Sequence, residues 1–117
     1  MIRYILTFVL LSSAAVLAQE TRYSCPGKTQ LDFNFCARDA WKVEDDRLNR
    51  IWADAKRRAD ARGGGQALLV EQRAWLKRRD ADCDPKLSSG GSADQMFYWS
   101  CMEEQTRLRN AELGALD

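Results

Sequence analysis

The stretch "EQRAWLKRRDADC", residues 71–83, decides the fold. Read linearly it is a basic cluster running into a cysteine, which suggests a polyanion patch or a metal or redox site. Placed on a helix of 3.6 residues per turn, it separates. Leu68, Leu69, Gln72, Trp75, Leu76, Arg79 and Cys83 fall within an arc of about 120°, the apolar stripe of a core-facing helix. Lys77 and Arg78 point outward on different flanks, as a solvated helix face would. Arg79 alone among the basic residues lies on the apolar stripe, with Trp75 and Leu76. Gln72, Trp75 and Arg79 are therefore core residues of a helical domain rather than a binding patch.

Working outward, the first 18 residues, "MIRYILTFVLLSSAAVLA", combine an early Arg3, an apolar run and small residues before Ala18. That pattern predicts a signal peptide cut after Ala18, leaving residues 19–117 as one domain. The apolar run falls short of the roughly 20 residues a membrane span requires. Arg22-Tyr23-Ser24 before Cys25 lacks the small and aliphatic residues of a lipoprotein cleavage box. The expected location is thus periplasmic or secreted, with no lipid anchor. The chain carries 18 basic and 17 acidic residues; losing Arg3 with the signal peptide balances them. A neutral mature chain is a poor partner for nucleic acid.

All four cysteines, Cys25, Cys36, Cys83 and Cys101, lie in the mature part. In a small exported chain an even number reads as two disulfides. Zinc is disfavoured because the chain has no histidine and no CxxC spacing, so no metal and no cofactor is expected.

Three helices account for the rest. Thr29-Gln30-Leu31-Asp32 has the form of a capping box and opens a first helix that meets no glycine or proline before Gly63-Gly64-Gly65. Phe33, Cys36, Ala37, Ala40, Leu48, Ile51 and Ala55 share its core stripe, with Trp41 and Trp52 at the edge. A run of this length also admits a bend, or a break that would give four helices. The triple glycine allows a reversal into the second helix, which Asp84-Pro85 ends. "KLSSGGS" is a loop, and Ser92-Ala93-Asp94-Gln95 reads as a second capping box opening a third helix to about Leu113. No strand-like alternation occurs outside the leader, so the expected fold is an all-α, disulfide-stapled bundle. A buried guanidinium needs an acceptor. An antiparallel hairpin of the first two helices places Arg79 near Asn49, which predicts an ion pair with Asp45 or Glu44.

Five stretches in order, "TQLDFNFC", "LNRIW", "QRAWLKRRDADC", "GGSADQM" and "CMEEQTRLRNAEL", resemble the LprI-type lysozyme inhibitors, a family of small exported proteins. The resemblance spans residues 25–113; Phe33, Trp52 and Gln105 depart from its usual residues. It implies a protein that binds and inhibits lysozyme, with lysozyme or another cell-wall-directed protein as partner. A different class, a non-inhibitory periplasmic interaction module or immunity-type protein, would be signalled by exposed aromatics among Phe97, Tyr98 and Trp99.

Chain reach favours the pairs Cys25–Cys36 and Cys83–Cys101. Cys36 lies about 10 Å along the helix from Thr29, and the four residues back to Cys25 span up to about 13 Å. Cys36–Cys83 across the hairpin stays open as the alternative. An inhibitor must block a cleft holding two carboxylates, and loops are the usual working surface. Lys86, Ser88 and Ser89 of the "DPKLSSGGS" loop are the sequence's candidate partner contacts, beside a predicted disulfide. An enzyme is the weakest reading: there is no histidine, no GxSxG elbow and no phosphate-binding glycine motif. Adjacent acids such as Asp45-Asp46 and Glu103-Glu104 diverge by about 100° on a helix.

Overall fold

The computed structural model describes residues 25–116; the predicted leader and its cleavage site lie outside them. Three helices make up the described chain: α1 Gln30–Ala61, α2 Gly65–Cys83 and α3 Asp94–Gly114. A 3-10 turn, Asp84–Leu87, follows α2. α1 runs its 32 residues without a break. Among the described residues no helix is long and apolar enough to cross a membrane.

Local chemistry sets the ends of α1. The Thr29 hydroxyl accepts from the Asp32 amide at 3.1 Å, and the Asp32 carboxylate accepts from the Thr29 and Lys28 amides at 3.1 and 3.2 Å. These amide bonds, with the Thr29 hydroxyl, hold the Asp32 carboxyl below its ordinary 3.8. At the other end Gly63 takes a φ of 79°, which only glycine adopts without strain. The Gly64 amide reaches back to the Ala59 carbonyl at 2.8 Å and the Gly63 amide to that of Asp60 at 3.1 Å. This closes the helix in a Schellman motif and starts α2 one residue later.

The start of α3 differs from the capping box expected at Ser92. The helix begins at Asp94 with Ala93 as its N-cap and no side-chain cap. The Asp94 carboxylate turns back instead, accepting from the Gly90 amide at 3.0 Å and from the Ser89 hydroxyl. The Ser92 carbonyl accepts from Asn34 Nδ2 at 3.0 Å, which ties the loop to α1. Ser92 lies instead within a turn that the Asp94 amide closes on the Gly91 carbonyl at 3.2 Å.

α1 and α3 run parallel: Gln30 contacts Met96, Trp41 stacks on Trp99, Glu44 meets Asn110, and Arg58 reaches the Leu116 carbonyl. α2 returns antiparallel between their C-terminal halves. Leu48, Ala55, Leu68, Trp75 and Leu113 form the apolar core there, with Ile51, Trp52, Ala59 and Leu76 against it. The disulfides are Cys25–Cys36 and Cys83–Cys101, each with Cα atoms 5.6 Å apart. The alternative Cys36–Cys83 pairing does not occur. The second bridge pins the end of α2 to α3, and the first folds the entering chain onto α1.

Candidate functional site

Two arginines dominate the α2–α3 seam. Arg109 is only 3% exposed. Its Nε donates to Gln72 Oε1 at 2.7 Å, and its Nη1 donates to Glu71 and Glu112, each at 3.0 Å. Arg79, also buried, donates from Nη1 to the Thr106 hydroxyl at 3.3 Å and from Nε to Asp80 at 3.2 Å. Both guanidiniums approach the Trp75 ring, with Cζ 5.1 and 5.8 Å from its centroid. Gln72, Trp75 and Arg79 thus lie together, as a polar and aromatic spine between two helices.

The ion pair expected from Arg79 to Asp45 or Glu44 does not form. α3 is the principal neighbour of α1, and α2 presents its arginine to α3. Glu44 is buried against Asn110, whose Nδ2 donates to both its carboxylate, at 3.0 Å, and its carbonyl, at 3.1 Å. Asp45 is half-buried on α1, away from that role. The error lay in treating the first two helices as a closed pair. Asn110 was absent from the sequence reading because a lone asparagine in a charged helix gives no periodic signal.

The loop between α2 and α3 exposes Lys86 and Ser88. Ser89 is spent differently: its hydroxyl donates to Asp94 and accepts from the Gly91 amide at 3.2 Å. Of the three loop residues singled out by sequence, Lys86 and Ser88 face solvent and Ser89 ties the loop together. Tyr98 lies near this end of α2. Burial raises its hydroxyl pKa, the Asp84 and Asp80 carboxylates add to the shift, and Arg79 opposes it.

A second surface lies beyond the end of α2. Cys83 is bonded to Cys101, so the first turns of α3 and the parallel first turns of α1 project beyond the end of α2. Between them is an open groove of about 290 Å³, lined by Leu31, Asn34, Phe35, Arg38, Gln95 and Trp99. Leu31 is 61% and Phe35 47% exposed. Arg38 lies over the Phe35 ring, Cζ 5.1 Å from its centroid. Trp99 packs on Trp41 and Tyr98, each with centroids 4.8 Å apart, and donates from Nε1 to Gln95 Oε1 at 3.2 Å. Of the aromatic triplet, Phe97 is the exposed member, while Tyr98 and Trp99 are half-buried. Sequence reasoning passed over the groove. Leu31, Phe35 and Arg38 recur at i, i+4 and i+7, off the main stripe, and that second helical face was the available signal.

The model of the family described as lysozyme inhibitor LprI matches residues 24–113. An uncharacterized protein of Rhizobium meliloti (strain 1021) is 32% identical over 126 aligned positions, covering 95% of this chain and 91% of the relative. No solved structure matches.

Proposed function

The chain belongs to the LprI lysozyme inhibitor family, and from that premise we propose that it is an exported protein that binds a lysozyme and blocks its glycan cleft. What supports the reading most is the span of the family match, which takes in both disulfides, the arginine spine and the groove alike. Export agrees with two disulfides in a small chain, which persist in oxidising compartments. The predicted leader supplies the route, and a periplasmic or secreted location follows from it.

The mechanism is occlusion. Lysozyme works through two carboxylates in a cleft, so a protein that seats a cation and an apolar rim over that cleft stops substrate entry. Pre-organisation favours such binding because little conformational entropy is lost on association. Here the bridges and the spine hold the helices that carry both candidate surfaces, the 84–93 loop and the α1–α3 groove. Lysis of a cell-wall suspension, followed by turbidity, tests the reading. Oxidised protein at micromolar concentration should slow lysis in proportion to dose; lysozymes of several types left fully active would end it.

Phe97, 55% exposed, favours a second reading, a non-inhibitory envelope module. That protein would capture a partner stably while leaving lysozyme untouched.

A further inference from the structure

We propose that the α1–α3 groove, with Arg38 at its edge, is the surface that seats on the carboxylate-bearing cleft of the target glycosidase. The proposal rests on the inhibitory reading above and assigns the contact within it.

Three features of the groove carry the assignment. The first is its composition. Apolar area from Leu31, Phe35 and Trp99 is rimmed by the amides of Asn34 and Gln95, and a guanidinium stands at the edge. Tryptophan and arginine set in such surroundings are the residues that dominate binding energy at protein interfaces.

The second is charge. The Phe35 ring lies under the Arg38 guanidinium, and this contact favours keeping the cation beside a groove-lining ring. The ion pair of Arg38 among the described residues, to Asp39, is long at 3.8 Å, with both side chains well exposed. Such a surface pair contributes little, so Arg38 can exchange Asp39 for the partner's carboxylates at small cost. A guanidinium offers a planar fork of donors, which suits a site holding two acids better than a single ammonium does. Asp32, on the same helix, is engaged in the α1 cap.

The third is rigidity. Cys36 lies two residues before Arg38 and is bridged to Cys25, while Asn34 is tied through Ser92 to the start of α3. Gln30 bridges Asn34 and Met96. The groove walls are thereby cross-linked at the end of the bundle that α2 leaves uncovered. The rival loop turns its Ser89 hydroxyl and Gly90 amide inward to Asp94, which leaves Lys86 as a point charge on a 3-10 turn.

The test uses the oxidised mature protein and a lysozyme that it inhibits. Inhibition constants are measured for Arg38→Glu, Phe35→Ser, Lys86→Glu and Lys77→Glu, with melting temperatures for each. Arg38→Glu should weaken inhibition about thirtyfold or more, the loss typical of an interface hot spot. Phe35→Ser should weaken it severalfold. Lys77→Glu, an equal charge reversal on the solvated face of α2, should leave it unchanged. A soluble chitooligosaccharide bound in the enzyme's cleft should compete with the protein. Full inhibition by both groove variants, or loss confined to Lys86→Glu, would overturn the groove while leaving inhibition intact. Binding of the oligosaccharide by this protein alone would overturn it in favour of a glycan site. A wild-type protein that neither binds nor inhibits any lysozyme would remove the underlying reading and the groove assignment with it.

Discussion

Replacing Arg109 with methionine isolates the polar spine, since methionine keeps most of the aliphatic volume and deletes the guanidinium. Two energies dominate. The bond from Arg109 Nε to Gln72, 2.7 Å long and buried, is charge-assisted and contributes about 1.5–3 kcal/mol, and its loss strands a buried Gln72 oxygen at a cost of about 1–3 kcal/mol. These overlap, because both describe the same broken bond. Contact with the Trp75 ring adds about 0.5–2 kcal/mol. Glu71 and Glu112 are 58% and 62% exposed as side chains; water replaces the guanidinium there, so each lost pair costs about 0–1 kcal/mol. Arg109→Met should therefore cost about 3–4 kcal/mol. In a domain near 100 residues that lowers the melting temperature by about 12–30 °C. The double variant Arg109→Met/Gln72→Leu removes both partners of the buried bond. It should recover about 2 kcal/mol or more of the loss, since a buried polar set replaced by apolar groups of similar volume is often neutral. Arg109 Nη2 is buried with no hydrogen-bond partner among the described residues; it is removed in the single and the double variant alike, so it moderates the Arg109→Met loss and leaves the recovery unchanged. Urea unfolding of the two single variants and the double variant measures the coupling. An Arg109→Met loss below about 1 kcal/mol, or strictly additive losses in the double variant, would refute the account of the spine.

Other consequences follow from the bridges and the cap. Removing Cys25–Cys36 or Cys83–Cys101 by paired Cys→Ser substitution should each cost about 3 kcal/mol, because loops of 11 and 18 positions differ little in closure entropy. Equilibrium unfolding of the two pairs, compared with the intact protein, checks this. The Asp32 carboxyl is lowered from 3.8 by the amide bonds it accepts. Its stabilisation is therefore full above 3.8 and is lost as pH falls through the lower folded value. Asp32→Asn should melt earlier than the wild type at neutral pH, and the gap should close in strong acid; a gap independent of pH would contradict the cap assignment.

What the sequence made legible was whatever depends on neighbours within one helix. The Thr29–Asp32 box and the Gly63 reversal are local devices, and the structure shows both. The stripe through Leu68, Gln72, Trp75, Arg79 and Cys83 is buried because helical period alone places it on one side. The disulfide pairs followed from chain reach. Arg79 was placed inside correctly and given the wrong partner, since its acceptor depends on which helix lies opposite. Thr106 of α3 occupies that place. The cap expected at Ser92 gives way to a turn in which the Asp94 amide bonds the Gly91 carbonyl, while Asn34, 58 positions away, holds the Ser92 carbonyl. The groove was hidden because it is made by the length of α2: only where Cys83 meets Cys101 does it become clear which turns of α1 and α3 lack a third helix.

Nitrogen-15 chemical-shift mapping of the oxidised mature protein, titrated with an inhibited lysozyme, tests the central claim most directly. The account predicts a one-to-one complex in which the backbone amides of residues 31–38 and 95–99 and the indole resonance of Trp99 move together. Shifts confined to residues 84–89, or spread evenly with no complex formed, would contradict it.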